Sequence, residues 1–354
     1  MKTAYVPHWI SYLVEAGRLA PSADNSQPWR FVFDGQRLAL EFDETRGGEL
    51  GSDHPAVLMA FGTVIENLVQ AAQHADMDTH SWEFLIPTNG QRCFLKIPAP
   101  TRDLEAVEIP KTSRKRHTNR GKFARTPLSN EIISEIAQHQ EGDIRVLVFS
   151  DPTAIRRLAR LIRFAYELRF QTKEVHRWLA QSLRFTETEI ARGDGLDVNT
   201  LNLPPGGKAL SKFLADWRRM AWLNRFGAYK FLAWVEATQF TQAGAGVAIV
   251  GQDRGNAAWL NAGRLLERLW LSLNAHNLAV HPYFVLADQL HRLETGHTPP
   301  SLRLDAERLT QQTREFFDSS DETLFMLLRV GKAKKPVRRS RRLPLGTILV
   351  LTGW

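Results

Sequence analysis

Two stretches of this 354-residue chain hold side chains whose types and spacing could do chemistry. The first is Leu19-Ala20-Pro21-Ser22-Ala23-Asp24-Asn25-Ser26-Gln27-Pro28-Trp29. Its two prolines fix φ and remove two backbone donors, which makes it an ordered loop between a helical pattern and a strand. Ser22, Asn25 and Gln27 can donate and accept at once, a chemistry suited to reading the edge of a flat heterocycle. The same residue types serve equally as a helix cap and turn. The second stretch is Arg116-His117-Thr118-Asn119-Arg120-Gly121-Lys122-Phe123. Two guanidinium groups flanking a hydroxyl make a good phosphate grip. A related basic cluster, Arg338-Arg339-Ser340-Arg341-Arg342-Leu343-Pro344, lies near the C-terminus.

The charge pattern points the same way. Lys111–Arg125 and Lys332–Arg342 each hold seven Lys or Arg and no acid, so they exceed the net charge of +8 and leave the remainder acidic. A nucleic-acid binder would show a broad basic face. Two compact runs on an acidic body read as walls of one anion site, or more plainly as two solvated segments. A single Cys93 rules out an internal disulfide and a cysteine-based metal or cluster site, and favours a reducing, cytoplasmic setting. No apolar run has the length of a membrane span. The first twenty residues lack a signal-peptide core. Eleven histidines occur without a His-Glu-x-x-His spacing, so no metal site is expected.

The elements that must position these groups follow from periodicity. Pro7–Arg18 reads as a helix, Trp29–Phe33 and Arg37–Phe42 as a hairpin around Asp34-Gly35, and Ala56–Ala75 as an amphipathic helix. Strands are expected near Ser81–Ile86, Arg92–Ile97 and Ile144–Phe149, a linker at Thr101–Pro110, and a helix at Pro127–His139 capped by Ser129. Asp151-Pro152 starts a long helical region. Gly193–Gly207 is a break. Lys208–Phe240 reads as a further helix rich in Trp and Arg, packed in the core with arginine stems over apolar surface; a membrane-surface or nucleic-acid patch is the competing reading. Gly244–Gly251 precedes an apolar run, so it leads into a strand and is no dinucleotide fingerprint.

An internal repeat is visible. Phe61-Gly62-x-x-Ile65-Glu66-x-Leu68 matches Ala262-Gly263-x-x-Leu266-Glu267-x-Leu269, at an offset of 201 residues. His80 falls near His281, and Gly51-Ser-Asp53 resembles Gly251-Gln-Asp253. Two similar halves related by an approximate twofold axis would explain this, with chance likeness between two amphipathic helices as the alternative. The Pro-Ser-x-x-Asn loop occurs only in the first half and the Arg-x-Thr-x-Arg run only in the second.

These motifs, in this order, resemble the FMN-dependent nitroreductase family, most closely its Acg-type branch, in which one chain holds two nitroreductase-like halves. The resemblance implies an α+β fold with mixed, largely antiparallel sheets, helices on both faces and an intramolecular pseudo-dimer. It implies a first half at 1–110 and a second at 111–354, with a helical insertion at about 153–240. By the same resemblance Arg116, Thr118, Arg120 and Arg342, with Arg339 or Arg341, would hold the FMN phosphate, and His117 belongs to the same cofactor-binding run. Pro21, Ser22, Asn25 and Gln27 would line the flavin, and His281-Pro282-Tyr283 would sit against its ring, although the family's usual Glu-Gly is absent here. One FMN per chain is then expected, with NAD(P)H as co-substrate and a nitroaromatic or quinone-like acceptor. No side-chain acid or base is assigned. The chain would be a monomer with an internal pseudo-dimer, or a higher homo-oligomer, without nucleic acid and without integral membrane association. The competing implication is a flavin-sequestering protein whose insertion forms a lid.

Overall fold

Local signals set most of the elements. The computed structural model describes residues 6–352 except 49, 87–90, 105–106 and 320. Residues 1–5 of the N-terminal stretch and 105–106 of the expected linker therefore lie outside the described residues. In the first third, α1 (His8–Arg18) buries Trp9, Ile10, Leu13 and Val14. β1 (Trp29–Phe33) and β2 (Arg37–Phe42) pair antiparallel with Trp29 opposite Phe42. Their turn closes on Asp34, whose Oδ1 accepts from Gln36 N at 2.8 Å and Arg37 N at 2.7 Å, while Gly35 takes φ 94°. A single turn, α2 (Glu44–Gly47), precedes α3 (Pro55–His74), which opens with proline at its first position. β3 (Glu83–Phe84) and β4 (Cys93–Pro98) follow.

Beyond the linker come α4 (Lys111–Lys115), α5 (Asn130–Ala137), β5 (Gln140–Glu141) and β6 (Ile144–Phe149). Ser129 caps α5, and Asp151 caps α6 (Pro152–Arg169) by accepting from Ala154 N at 2.8 Å. A helical excursion follows: α7 (Lys173–Ser182), β7 (Leu183–Arg184), α8 (Glu187–Ala191), β8 (Leu196–Asp197), α9 (Gly207–Leu214), α10 (Trp217–Asn224) and α11 (Ala228–Phe240). The chain then returns through β9 (Ala245–Gly251), α12 (Asn256–Ala275), β10 (Ala279–Tyr283), α13 (Val285–Glu294), α14 (Arg303–Phe317) and β11 (Thr323–Gly331), ending in α15 (Leu345–Ile348) and β12 (Leu349–Leu351). The expected single helix at Lys208–Phe240 is three, broken at Asp216, which caps α10, and at Gly227, where φ is 85°. The glycine-rich run at 244–251 is a buried central strand, not a phosphate loop.

The fold is α+β, with two five-stranded sheets ordered β12-β1-β2-β4-β3 and β10-β11-β9-β6-β5. The second is antiparallel throughout; the first is antiparallel except where β12 joins β1 in parallel, Phe31 opposite Leu349. The last strand of the chain thus completes the sheet of the first third. Between the sheets α3 and α12 form the most extensive helix pair. A Cβ on Gly62 would strike the Leu260 carbonyl oxygen, and one on Gly263 would strike the Met59 carbonyl oxygen. Met59 and Leu260 are themselves 201 positions apart, so the crossing is reciprocal, residue for residue. Among the described residues α3 is the one helix long and apolar enough to cross a membrane, and 83% of its apolar window is buried in the protein.

Candidate functional site

The Pro21–Pro28 loop is held in an unusual shape. Asp24, Asn25 and Gln27 take φ of 49°, 57° and 50°, in the left-handed region that non-glycine residues enter at a cost. The loop is fixed from outside. Asn25 Nδ2 donates to the carbonyls of Gly193, Gly195 and Arg341, at 3.2, 3.1 and 3.1 Å, and Gly195 N donates to Asn25 O at 3.1 Å. Gln27, fully buried, donates to Gly193 O at 2.9 Å and accepts from Leu343 N at 3.0 Å. Gly193 has φ 86°, and a Cβ there would meet the Arg342 carbonyl. Two distant segments, at 193–195 and 341–343, therefore meet on one loop.

The Arg116–Phe123 run is positioned by the second sheet. Thr118 bridges Val280 of β10, and Asn119 N donates to Val280 O at 2.9 Å. On its other flank Ala124 N donates to Lys332 O at 2.8 Å. Beneath it lies Arg329 of β11, 1% exposed, whose Nη2 donates to the carbonyls of Asn119 and Gly121 at 3.2 and 2.8 Å. Its guanidinium also stacks 3.9 Å over the Phe123 ring. Arg116 is buried against Glu267 of α12, with Nε 2.9 Å from Oε1, and lies 4.9 Å over the Trp270 ring while donating to Leu19 O.

A cleft of about 120 Å³ opens between these parts. Pro21, Ser22 and Asn25 form one wall with Leu19. Arg114, Arg116, His117, Thr118 and Arg120 form another, and Arg339, Ser340 and Arg342 a third, with Leu196 of β8 completing it. Five arginines and no carboxylate line it. Arg342 donates to Asn25 Oδ1 at 2.7 Å, while its buried Nε has no hydrogen-bond partner among the described residues. Burial, with the Arg116 charge beside it, lowers the Arg342 pKa to about 9. Burial also lowers Arg120, against the opposing pull of Asp24 and Glu236. On Glu267 burial outweighs the pull of Arg116 and Arg342 and pushes its carboxyl up to about 7. Three cations in one cleft, Arg116, Arg120 and Arg342, each disfavoured by burial, make a site that gains from an anion.

Nine of the thirteen residues singled out from the sequence line this cleft: Pro21, Ser22, Asn25, Arg116, His117, Thr118, Arg120, Arg339 and Arg342. The other four do not. Gln27 is turned into the protein to hold Gly193 and Leu343. Arg341 presents its carbonyl to Asn25 while its side chain is exposed. Pro282 and Tyr283 lie on β10 away from it: Tyr283 is 1% exposed and packs edge-on against Phe240 and Tyr166, under α11 and α6. Asn25 is in the wall, but its amide is committed to backbone and to Arg342, so it positions an arginine and has little left for a ring edge. Sequence reasoning missed Arg114, Leu196, Ser340 and the buttress Arg329. Arg329 did carry a signal, as the lone charge inside the apolar strand Leu324–Val330.

A family model described as "Putative TM nitroreductase" matches residues 1–69. No curated protein matches by sequence. Among solved structures, the chain is similar to the FMN and NADPH-dependent nitroreductase NfnB from Sphigopyxis sp. strain HMH at 14% identity, covering 69% of this chain and 98% of that one, with a TM-score of 0.38. NfnB from Mycobacterium smegmatis in complex with NADPH is 16% identical over 67% and 94% of the two chains, with a TM-score of 0.37. Iodotyrosine deiodinase bound to FMN and 3-iodo-L-tyrosine is 15% identical over 66% and 94%, with a TM-score of 0.35.

Proposed function

We propose that this protein binds FMN in the arginine-walled cleft and acts as a nitroreductase-type oxidoreductase, passing hydride from NAD(P)H to a nitroaromatic or quinone-like acceptor in a cytoplasmic setting. The observation that carries the reading is the cleft itself: five arginines, one threonine and two serines and no carboxylate, with the Pro21–Asn25 loop as one wall. That donor set fits a phosphomonoester, and the unpartnered Arg342 Nε is one donor that such a group would satisfy. Arg116, Thr118, Arg120, Arg339 and Arg342 would hold the phosphate. Ser22 Oγ already accepts from Gln27 N at 2.9 Å, which leaves its proton free for a ligand. Bound flavin would supply the hydride chemistry. The chain's part is to grip the phosphate, fix the loop through Asn25 and Gln27, and keep water from the cleft with Leu196.

We further propose that the two sheets and the reciprocal α3–α12 crossing descend from a joined pair of subunits, with one site per chain. The domain division at about residue 110 belongs to this proposal, with β12 as the segment that crosses back.

One observation favours a second reading, flavin sequestration. The cleft volume of about 120 Å³ is below the ~300 Å³ at the lower end for pockets that enclose a whole small ligand. What narrows it on one side is the Gly193–Leu196 segment, tied to Asn25 and Gln27. A strap that must move to admit a flavin could also retain one and shut out NAD(P)H. The visible spectrum of the purified protein, followed by NADPH addition without oxygen, separates the readings. Yellow protein that bleaches and turns over with a nitro or quinone acceptor supports the enzyme. Yellow protein that stays oxidised supports sequestration. Colourless protein that takes up no FMN overturns both.

A further inference from the structure

The Trp- and Arg-rich stretch read from the sequence as a packed helix is, in the structure, a bare surface. Trp222, Phe226, Phe231 and Trp234 are 56%, 75%, 59% and 51% exposed, and Leu210 and Phe213 of α9 are nearly half exposed. The rings form neighbouring pairs: Trp222 and Phe226 have centroids 5.2 Å apart, Phe231 and Trp234 6.0 Å. Helix α11 explains why they stay out. It buries Ala233, Ala237 and Phe240 against the protein, which turns Phe231 and Trp234 outward. No side chain of the cleft is among them.

The charges on the same helices are one-sided. Lys208, Lys212, Arg218, Arg219, Arg225 and Lys230 are all exposed. The one acid between residues 207 and 235 is Asp216, whose carboxylate is occupied in capping α10 through Arg218 N at 2.7 Å. Arg219 lies 4.7 Å over the Phe213 ring, so cation and aromatic surface are interleaved and not segregated.

We propose that α9–α11 docks the protein on an anionic lipid bilayer, its aromatic rings entering the headgroup boundary and its Lys and Arg heads meeting lipid phosphates. Short helices with Trp, Phe and Leu beside Lys and Arg suit that interface, where long cationic stems lie along the apolar zone while their heads stay wet. Exposed apolar area of this kind marks an interaction surface. Charge selects the occupant. A second copy meeting this face across a twofold axis would set six cations against six, which repel. Nucleic acid would satisfy the charge but offers a polar, wet surface to Leu210, Phe213 and Phe226. The inference is independent of what the cleft binds.

The test uses the full chain and vesicles of phosphatidylcholine alone or mixed in equal parts with phosphatidylglycerol. Co-sedimentation with the mixed vesicles and not with pure phosphatidylcholine is expected. Trp222→Asp/Phe226→Asp and Arg218→Glu/Arg225→Glu should each lower the partition coefficient by about tenfold or more. Unchanged circular dichroism and melting would show that these surface variants remain folded. Three results would overturn the proposal: no partition of the wild type, partition unaltered in both variants, or a wild-type dimer by light scattering that Trp222→Asp/Phe226→Asp turns into monomer. Tighter binding to duplex DNA than to the mixed vesicles at equal salt would reassign the face to nucleic acid.

Discussion

Glu66 on α3 and Glu267 on α12 occupy matching places on the two central helices, and both are buried, at 1% and 0% exposure. Their surroundings differ. Glu66 takes two bonds from Arg268, at 2.9 and 3.0 Å, one from Gln70 at 3.0 Å, and lies 3.5 Å from Arg264. Both arginines also reach Glu141 at 2.9 Å. Two acids and two arginines thus close a balanced network. Glu267 instead faces Arg116, with Arg342 close enough to bias its titration. There one acid meets a larger group of cations, and the surplus points into the cleft. The same helical frame produces a sealed joint on one side and a charged opening on the other. What separates them is what the chain adds around each acid: Glu141 beside Glu66, and two arginine runs beside Glu267.

The largest effect should come from breaking the buried pair. Arg116→Met leaves Glu267 uncompensated in the interior, a loss of about 3–5 kcal/mol in unfolding free energy by urea titration. Glu66→Gln should cost less, about 1–2 kcal/mol, because Arg268 and Arg264 keep Glu141 and are themselves partly exposed. Equal losses would mean that the two sides are not different in kind. Next come the glycines at the crossing. Gly62→Ala and Gly263→Ala each push a methyl into a backbone carbonyl of the facing helix, and each should lose about 1–3 kcal/mol. Similar values would sharpen the symmetry at the helix pair; a large inequality would break it. The third contrast is in binding. Arg342→Ala should weaken FMN or inorganic phosphate by about 10–100-fold in calorimetry, the size expected for a charge-assisted bond. Arg268→Ala, at the sealed joint, should leave that affinity unchanged.

How much of this was legible from the chain depended on range. The β1–β2 hairpin, the Ser129 and Asp151 caps and the strand at Ala245–Gly251 follow from neighbours in sequence, and periodicity with turn chemistry was enough. At Lys208–Phe240 the helical composition hides two local stops, the capping Asp216 and the left-handed Gly227, so one expected helix is three. The docking of β12 onto β1 could not be read, since three residues with no pattern of their own pair across more than three hundred positions. At the cleft, residue type told which groups grip an anion, but not which way each points. Gln27 looks like a ring reader and is a clamp. Arg341 and Arg342 are alike in sequence, yet one is exposed and the other is drawn in by Asn25 Oδ1.

The smallest effect is a pH response, and it bears on the same contrast. Arg342 is lowered to about 9 by burial and by the Arg116 charge, far below its usual value, whereas Glu66 and Glu141 hold Arg268 above its own. The folded chain therefore binds fewer protons at Arg342 than the unfolded chain does between about pH 9 and the ordinary arginine range, so this group makes the free protein more stable as pH rises through that window. A bound anion reverses the preference, because the cation now has a partner. Its stabilisation is fully present below about pH 9 and shrinks above it as the guanidinium gives up its proton. The difference in melting temperature with and without saturating phosphate should accordingly be level near pH 8, above the range in which Glu267 titrates, and narrow from about pH 9. At ten times Kd the ligand contributes about 1.4 kcal/mol, a shift of a few degrees. In Arg342→Lys the narrowing should change position, and in Arg268→Lys it should not. A narrowing that follows Arg268 would place the titrating cation at the sealed joint and leave the open side without its distinguishing charge.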